Sequence, residues 1–221
     1  MGIFKHFYYF CSMNDTYKTV DRPAEGYVTE KKSKFISYIF PVKSAEEVKE
    51  ILEEQRKKYY DARHICWAYM LGWQREEFRA NDDGEPSGTA GKPILGQINS
   101  AGLTDVLVVV VRYFGGTLLG TGGLIKAYKE AAADAIANAG ITEKTVDDII
   151  DIVFDYPLMN EVMRVLKQFD SLQWTHDFRE SCRMRLQIRR SLASQLTGML
   201  ESIHGVSFDN PQKNLNKEGI S

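Results

Sequence analysis

The hydrophobic pattern of this chain changes period several times, and each change predicts an element. From Tyr27 to Lys34 and from Phe35 to Val42, β-branched and aromatic residues predict two strands, as a hairpin or a bent ribbon. Ser44 to Glu47 has the spacing of a capping box, and the period then becomes helical. Val48, Ile51, Leu52 and Tyr59 form the inner stripe, with polar Gln55 among them, while Glu53–Lys57 and Glu54–Lys58 pair on the wet side. His64 to Leu71 reads as a strand that Glu77 to Ala80 can pair with. Pro93 is placed to open a short helix at its first position. Asp105 to Phe114 is almost wholly apolar, the signature of a strand buried on both faces. A long helix follows, with Thr121 expected as its cap, Gly140 as its stop, and Leu124, Tyr128, Ala131, Ala135 and Ala139 facing inward.

Ile141 to Lys144 reads as a linker, after which the grammar is simpler. Val146 to Tyr156 predicts a strand and Pro157 to Phe169 a helix. Ser171 to Glu180 and Arg183 to Arg190 predict two more strands. Ser191 is expected to cap a helix that Gly205 stops, and Val206 to Asp209 is a last short strand. The succession βαββαβ is that of a split, ferredoxin-like unit. Pro211 to Ser221 is polar and expected to fray. The aromatic but charge-broken residues 1–12 lack the form of a signal peptide, so Met13 is expected to be the true start and residues 1–12 a mis-annotated or mobile extension.

One stretch fits neither period. Asn81 to Pro93 holds Asp82, Asp83, Glu85, Ser87 and Thr89 between glycines, with no apolar side chain larger than proline. Such a run cannot build a core and must be a surface loop, of a kind that often carries function. Its carboxylates could hold Mg²⁺ or act as general bases. They could equally bond nearby backbone N–H groups in a turn.

A second glycine run, Gly115 to Gly123, precedes the long helix and matches neither a P-loop nor a dinucleotide fingerprint. It serves tight strand–helix packing, or an anion at the helix N-terminus with Arg112 and Lys126 completing the site. His64 and Cys66 share a strand face, but adjacent residues on one face rarely reach nucleophile–base geometry, so Cys66 reads as core. In the second half, Arg183, Arg185 and Arg189 alternate with apolar residues. They would line the open face of the sheet, either as an RNA platform or in ion pairs with Asp151 and Asp155 on the neighbouring strand.

Composition narrows the classes. The 221 residues, 43% hydrophobic and 26% charged, fit one large or two small globular domains. A net charge of −2 excludes a general polycation, so nucleic acid would need a local patch. The three cysteines lie far apart with no CxxC, which argues against a zinc ribbon or disulfide framework and suits a reducing cytoplasm. No apolar run approaches the roughly 18 residues of a membrane span. Neither a metal nor another cofactor is expected.

Three runs carry a resemblance: Asp61 to Tyr69 (DARHICWAY), Asn81 to Leu95 (NDDGEPSGTAGKPIL) and Val109 to Gly120 (VVVRYFGGTLLG). Together they resemble the IMPACT/YigZ family, closely over residues 17–140, with residues 145–210 matching the smaller C-terminal domain of bacterial members. The resemblance implies an α+β chain of two domains. The first has the fold of ribosomal protein S5 domain 2, and the second is a ferredoxin-like domain similar to the last domain of elongation factor G. Eukaryotic relatives are translational regulators that limit activation of the kinase sensing amino-acid starvation. They also carry an RWD domain that engages the kinase's activator. The chain has no room for that domain, so that partner is not expected here.

The family supplies no settled catalytic residues. His64, Asp82, Asp83, Glu85, Ser87, Arg112, Gly115 and Gly116 therefore transfer as a binding site, expected to gather in one cleft. The expectation is a non-enzymatic cytosolic protein that bears on translation by binding RNA or the ribosome. The alternatives are a metal-assisted hydrolase or other small-molecule enzyme using the acidic loop, and a protein-interaction module.

Overall fold

The structure is a computed structural model, and it describes residues 15–178 and 181–209. The expectations for residues 1–12, Met13 and Pro211 to Ser221 lie outside the described residues. The chain divides into two compact units, Thr16–Lys144 and, among the described residues, Asp15 with residues 145–209.

In the N-terminal unit, β1 (Thr16–Val20) precedes β2 (Ala24–Glu30) and β3 (Ser33–Pro41). Helix α1 (Ala45–Lys58) starts at Ser44, whose Oγ accepts from the Glu47 N–H. The Glu47 carboxylate accepts in return from the Lys43 N–H, one residue earlier than a regular capping box. Strands β4 (His64–Leu71) and β5 (Glu77–Asn81) follow. Helix α2 (Gly91–Ala101) begins two residues before Pro93, so that proline sits in the third helical position. Strand β6 (Val106–Tyr113) leads to α3 (Gly120–Ala139). The cap of α3 is Leu119 and not Thr121, and among the described residues no side-chain hydrogen bond caps the helix. Ile141 to Lys144, expected as a linker, lie in β7 (Ile141–Thr145), which pairs with β1.

The main sheet has the order β2-β3-β6-β4-β5, which makes β6 its centre. That position explains the valine run. Val106, Val108 and Val110 enter the core under α2 and α3, and Leu107, Val109 and Val111 the core on the α1 side. The alanine stripe of α3 lets it lie close on β2 and β3; a Cβ on Gly26 would come within 2.5 Å of the Ala135 backbone nitrogen. The Ser37 hydroxyl, buried between them, donates to the Ala131 carbonyl.

The C-terminal unit runs β8 (Asp147–Phe154), a 3-10 turn (Tyr156–Leu158), α4 (Met159–Leu166), β9 (Gln173–Phe178), β10 (Cys182–Arg189), α5 (Arg190–Glu201) and β11 (Ser207–Phe208). The sheet order is β11-β8-β10-β9, with every pairing antiparallel. Met184, Leu186 and Ile188 point under the helices, and Arg183, Arg185 and Arg189 point away. Arg189, not Ser191, occupies the cap of α5; the Ser191 hydroxyl bonds to the Asp15 carboxylate instead.

Candidate functional site

The register of three strands builds the site. Arg112 on β6 lies opposite Phe35 on β3 and opposite His64 on β4. It continues the row Val106, Val108 and Val110, so strand alternation drives a guanidinium into the end of the core, where only 6% of Arg112 is exposed. A buried cation needs a partner. Glu85, itself 8% exposed, supplies it from the acidic loop, with Arg112 Nη1 donating to Oε1 at 2.6 Å. The Tyr128 hydroxyl, from the inner stripe of α3, donates to the same oxygen at 2.8 Å. Burial pushes the Tyr128 phenol well above its ordinary range, so it remains a donor. The guanidinium is flanked by the rings of Phe35 and Phe114, with centroids 5.6 Å and 5.8 Å away, and its Nε has no hydrogen-bond partner.

The other two carboxylates are also committed. Asp82 accepts from the N–H groups of Gly88, Ala90 and Gly91, and so closes its own loop and satisfies the first amides of α2. Burial alone would raise its pKa. The three backbone donors outweigh that and hold the carboxyl below its ordinary value. Asp83 takes the Ile65 N–H at 2.7 Å and the Arg56 guanidinium at 3.0 Å. Asn81 forms the turn itself, its Oδ1 accepting from the Asp83 N–H. Thr89 is buried and donates to the Pro86 carbonyl, and Ser87 is exposed outside the cleft. The loop is thus a latch that places Glu85, with its carboxylates turned inward. The metal-ligand reading of Asp82, Asp83 and Glu85 meets carboxylates already engaged by protein donors, Asp82 and Asp83 through both oxygens and Glu85 through Oε1.

His64 Nδ1 lies 2.8 Å from the Asp83 carbonyl oxygen, which can only accept, so Nδ1 carries the proton and Nε2 is the ring nitrogen left to a ligand. Cys66 is fully buried between the Asp82 carbonyl and the Tyr128 hydroxyl. Burial pushes its thiol far up, against the pull of the Tyr128 bond, so no thiolate forms for the nucleophilic pairing with His64.

Around these groups opens a cleft of about 460 Å³. Arg63, His64, Arg112, Phe114, Leu118 and Thr121 are among its walls. Phe114 is 55% and Leu118 84% exposed, and the uncapped first turn of α3 faces the same space. Gly115 is not part of the wall. A Cβ there would lie 2.0 Å from the Lys32 carbonyl carbon, so its lack of a side chain lets the loop press on the β2–β3 turn. Gly116 turns the chain at φ +83°. Lys126 lies outside the cleft, exposed and 3.9 Å from Glu130, so the anion site expected from Arg112 with Lys126 is not assembled. The sequence reading missed Arg63, Phe114, Leu118 and the role of the Tyr128 hydroxyl. The last had a signal: a tyrosine among alanines in a buried stripe needs a partner for its O–H.

On the C-terminal sheet Arg185 lies opposite Asp151 and binds it with two bonds, 2.8 Å and 2.9 Å. Arg183 reaches Asp209 at 3.8 Å, because Asp155 falls beyond the end of β8. Arg189 lies opposite Asp147. The face alternates charges.

These features define an α+β protein with a latched acidic loop and a half-apolar cleft at the end of a five-stranded sheet. The family model described as Impact N-terminal domain matches residues 31–136. The IMPACT family member YvyE of Bacillus subtilis (strain 168) is 36% identical over 156 residues, 71% of this chain and 72% of that protein. The IMPACT family member YigZ of Escherichia coli (strain K12) is 33% identical over 172 residues, 77% of this chain and 84% of that protein. A solved structure, the crystal structure of a hypothetical protein, covers 88% of this chain and 96% of its own at TM-score 0.66 and 29% identity. The chain belongs to the IMPACT family. No described helix is long and apolar enough to cross a membrane.

Proposed function

We propose that this protein is a non-enzymatic, cytoplasmic regulator bearing on translation, and that it binds RNA, alone or on the ribosome, through the cleft beside Arg112. The regulatory role follows from the family, whose eukaryotic relatives the three sequence runs resemble. In this reading the N-terminal unit has the fold of ribosomal protein S5 domain 2, and the βαββαβ unit is ferredoxin-like, akin to the last domain of elongation factor G.

One observation carries the choice of surface. An exposed aromatic ring, Phe114, stands beside Arg63, His64 and the uncapped amides of α3. Single-stranded RNA is held by that combination, bases stacking on rings and phosphates on donors. The C-terminal sheet fits less well, since Arg185 is spent on Asp151. The hydrolase alternative needs several carboxylates with open oxygens, and both oxygens of Asp82 and Asp83 are engaged, as is Oε1 of Glu85.

Binding of short single-stranded RNA measured over a salt series tests the reading. Phe114→Ala should weaken binding by about 1–3 kcal/mol, roughly five- to a hundredfold, with a cooperative fold retained. RNA affinity equal to that of the wild type would remove the cleft as the binding surface.

A further inference from the structure

Glu85 is held through one oxygen only. Arg112 Nη1 and the Tyr128 hydroxyl both donate to Oε1, at 2.6 Å and 2.8 Å. Among the described residues no group donates to Oε2, and that oxygen is not sealed among protein atoms. Glu85 is more than nine-tenths buried and lines the cleft, so Oε2 is an open acceptor in a nearly closed place. Such an atom demands a donor.

His64 makes the same demand from the wall of the same cleft. Its Nδ1–H is taken by the Asp83 carbonyl, so Nε2 can only accept, and no described group donates to it. The acidic loop sets both acceptors. Asp83 orients the imidazole, and the two donors on Oε1 fix the plane of the Glu85 carboxylate. A ligand meets them in place and does not have to order them.

Charge and shape narrow the ligand. Arg112 neutralises Glu85, and Arg63 stands in the wall as well. An ammonium or guanidinium would meet an excess of positive charge, so the donors must be neutral N–H groups. Phe114, Leu118 and Leu124 make the remaining wall apolar, and the Phe114 ring centroid is 5.8 Å from the Arg112 guanidinium, beside the carboxylate. A flat ring with donors along one edge fits this wall, and about 460 Å³ suits one such unit. Among the RNA bases guanine alone carries two adjacent donors, N1–H and the N2 amino group. Adenine and cytosine set a ring acceptor beside their amino group, and uracil has a single N–H. An acceptor facing an acceptor leaves both unpaired, which is how such a site rejects the wrong base.

We propose that the cleft is a guanine pocket, in which N1–H and the N2 amino group donate to Glu85 Oε2 and His64 Nε2 and the ring lies against Phe114 and Leu118. This rests on the RNA reading of the same cleft and gives it a base preference. Guanine in a free nucleotide and guanine within single-stranded RNA present the same edge.

The donors are tested from the ligand side, because replacing Glu85 also breaks its pair with Arg112. Calorimetry on the full chain compares guanosine, inosine, 1-methylguanosine and adenosine monophosphates. Inosine lacks the amino group, and 1-methylguanosine lacks N1–H. Guanosine monophosphate should bind about tenfold or more tighter than each of the other three. His64→Phe removes one acceptor and should narrow the lead of guanosine over adenosine monophosphate, whereas a merely structural role would weaken both alike. The comparison is repeated on short uridine-rich RNAs carrying one guanine or one adenine. Selective guanosine monophosphate binding in a chain that fails to bind RNA would keep this proposal, as a free-nucleotide site, and end the RNA reading. RNA binding that is weakened in Phe114→Ala but indifferent to guanine would end this proposal and leave the RNA reading standing. Equal affinity for guanosine, inosine and 1-methylguanosine monophosphates would also end it. No binding of nucleotide or RNA would end both.

Discussion

At the scale of single residues, the acidic loop separates structure from chemistry. Asp82 holds three backbone amides, and Asp82→Ala leaves them without that acceptor. The loss expected is that of a helix cap, about 1–2 kcal/mol, read from urea denaturation. The carboxyl of Asp82 is held below its ordinary value. Its contribution is therefore complete above the unfolded carboxyl value and disappears as pH falls through the lower folded one. The stability gap between wild type and Asp82→Ala should be constant near neutrality and close below about pH 4. A gap that does not change with pH would show that the charge of Asp82 is not what holds the loop.

Glu85 behaves differently because its partner is a buried cation. Glu85→Gln keeps an acceptor for Tyr128 but leaves Arg112 uncompensated, an expected loss of about 3–5 kcal/mol. Adding Arg112→Met should recover a good part of that loss, since no buried charge then remains. Equal stabilities of the single and double variants would contradict the pairing. The sequence marked both residues as site candidates but not as partners. They lie 27 positions apart, and Tyr128 lies 43 from Glu85, so no local pattern links them. The loop's polarity was legible; that the polarity is spent inward depends on a register between strands that no short window contains.

At the scale of elements, periodicity was a good guide where burial on one face set it. The bounds read for β4 agree, and the inner stripe of α3 is buried at all five expected positions. It misled at element ends. Thr121 and Ser191 looked like caps by residue type, but both helices start a residue or more earlier, from Leu119 and Arg189. The chain path into the helix decided the start, not the hydroxyl. Ile141 to Lys144 read as a linker, and these residues became part of strand β7 through pairing with the equally short β1.

The glycine loop between β6 and α3 gives an element-scale prediction. Gly115→Ala puts a Cβ against the backbone of the β2–β3 turn, which must move, so it should destabilise by about 1–3 kcal/mol. Gly96→Ala in α2 meets nothing within 4 Å and should stabilise by up to about 1 kcal/mol. Chemical denaturation of both variants in parallel checks the contrast. A Gly115→Ala protein as stable as the wild type would mean that the loop does not press on that turn.

At the scale of the whole molecule, a net charge of −2 leaves RNA binding to local chemistry, and the two sheets offer different kinds. The arginine row on β10 was legible in the sequence, as was its pairing with Asp151. The partner of Arg183 was not, because it depends on where β8 ends. Replacing Arg183 and Arg185 by alanine together should leave RNA affinity and its salt slope unchanged. A slope shallower by about one unit per lost phosphate contact would bring that face back into RNA binding.

Ribosome co-sedimentation of the wild type and Phe114→Ala, at low and high salt, with and without RNase, tests the central claim most directly. The account predicts that the wild type sediments with ribosomes at low salt, is released by high salt or by RNase, and is lost from the pellet in Phe114→Ala. A wild-type chain that stays in the supernatant at low salt, or a Phe114→Ala chain that sediments equally well, would contradict it.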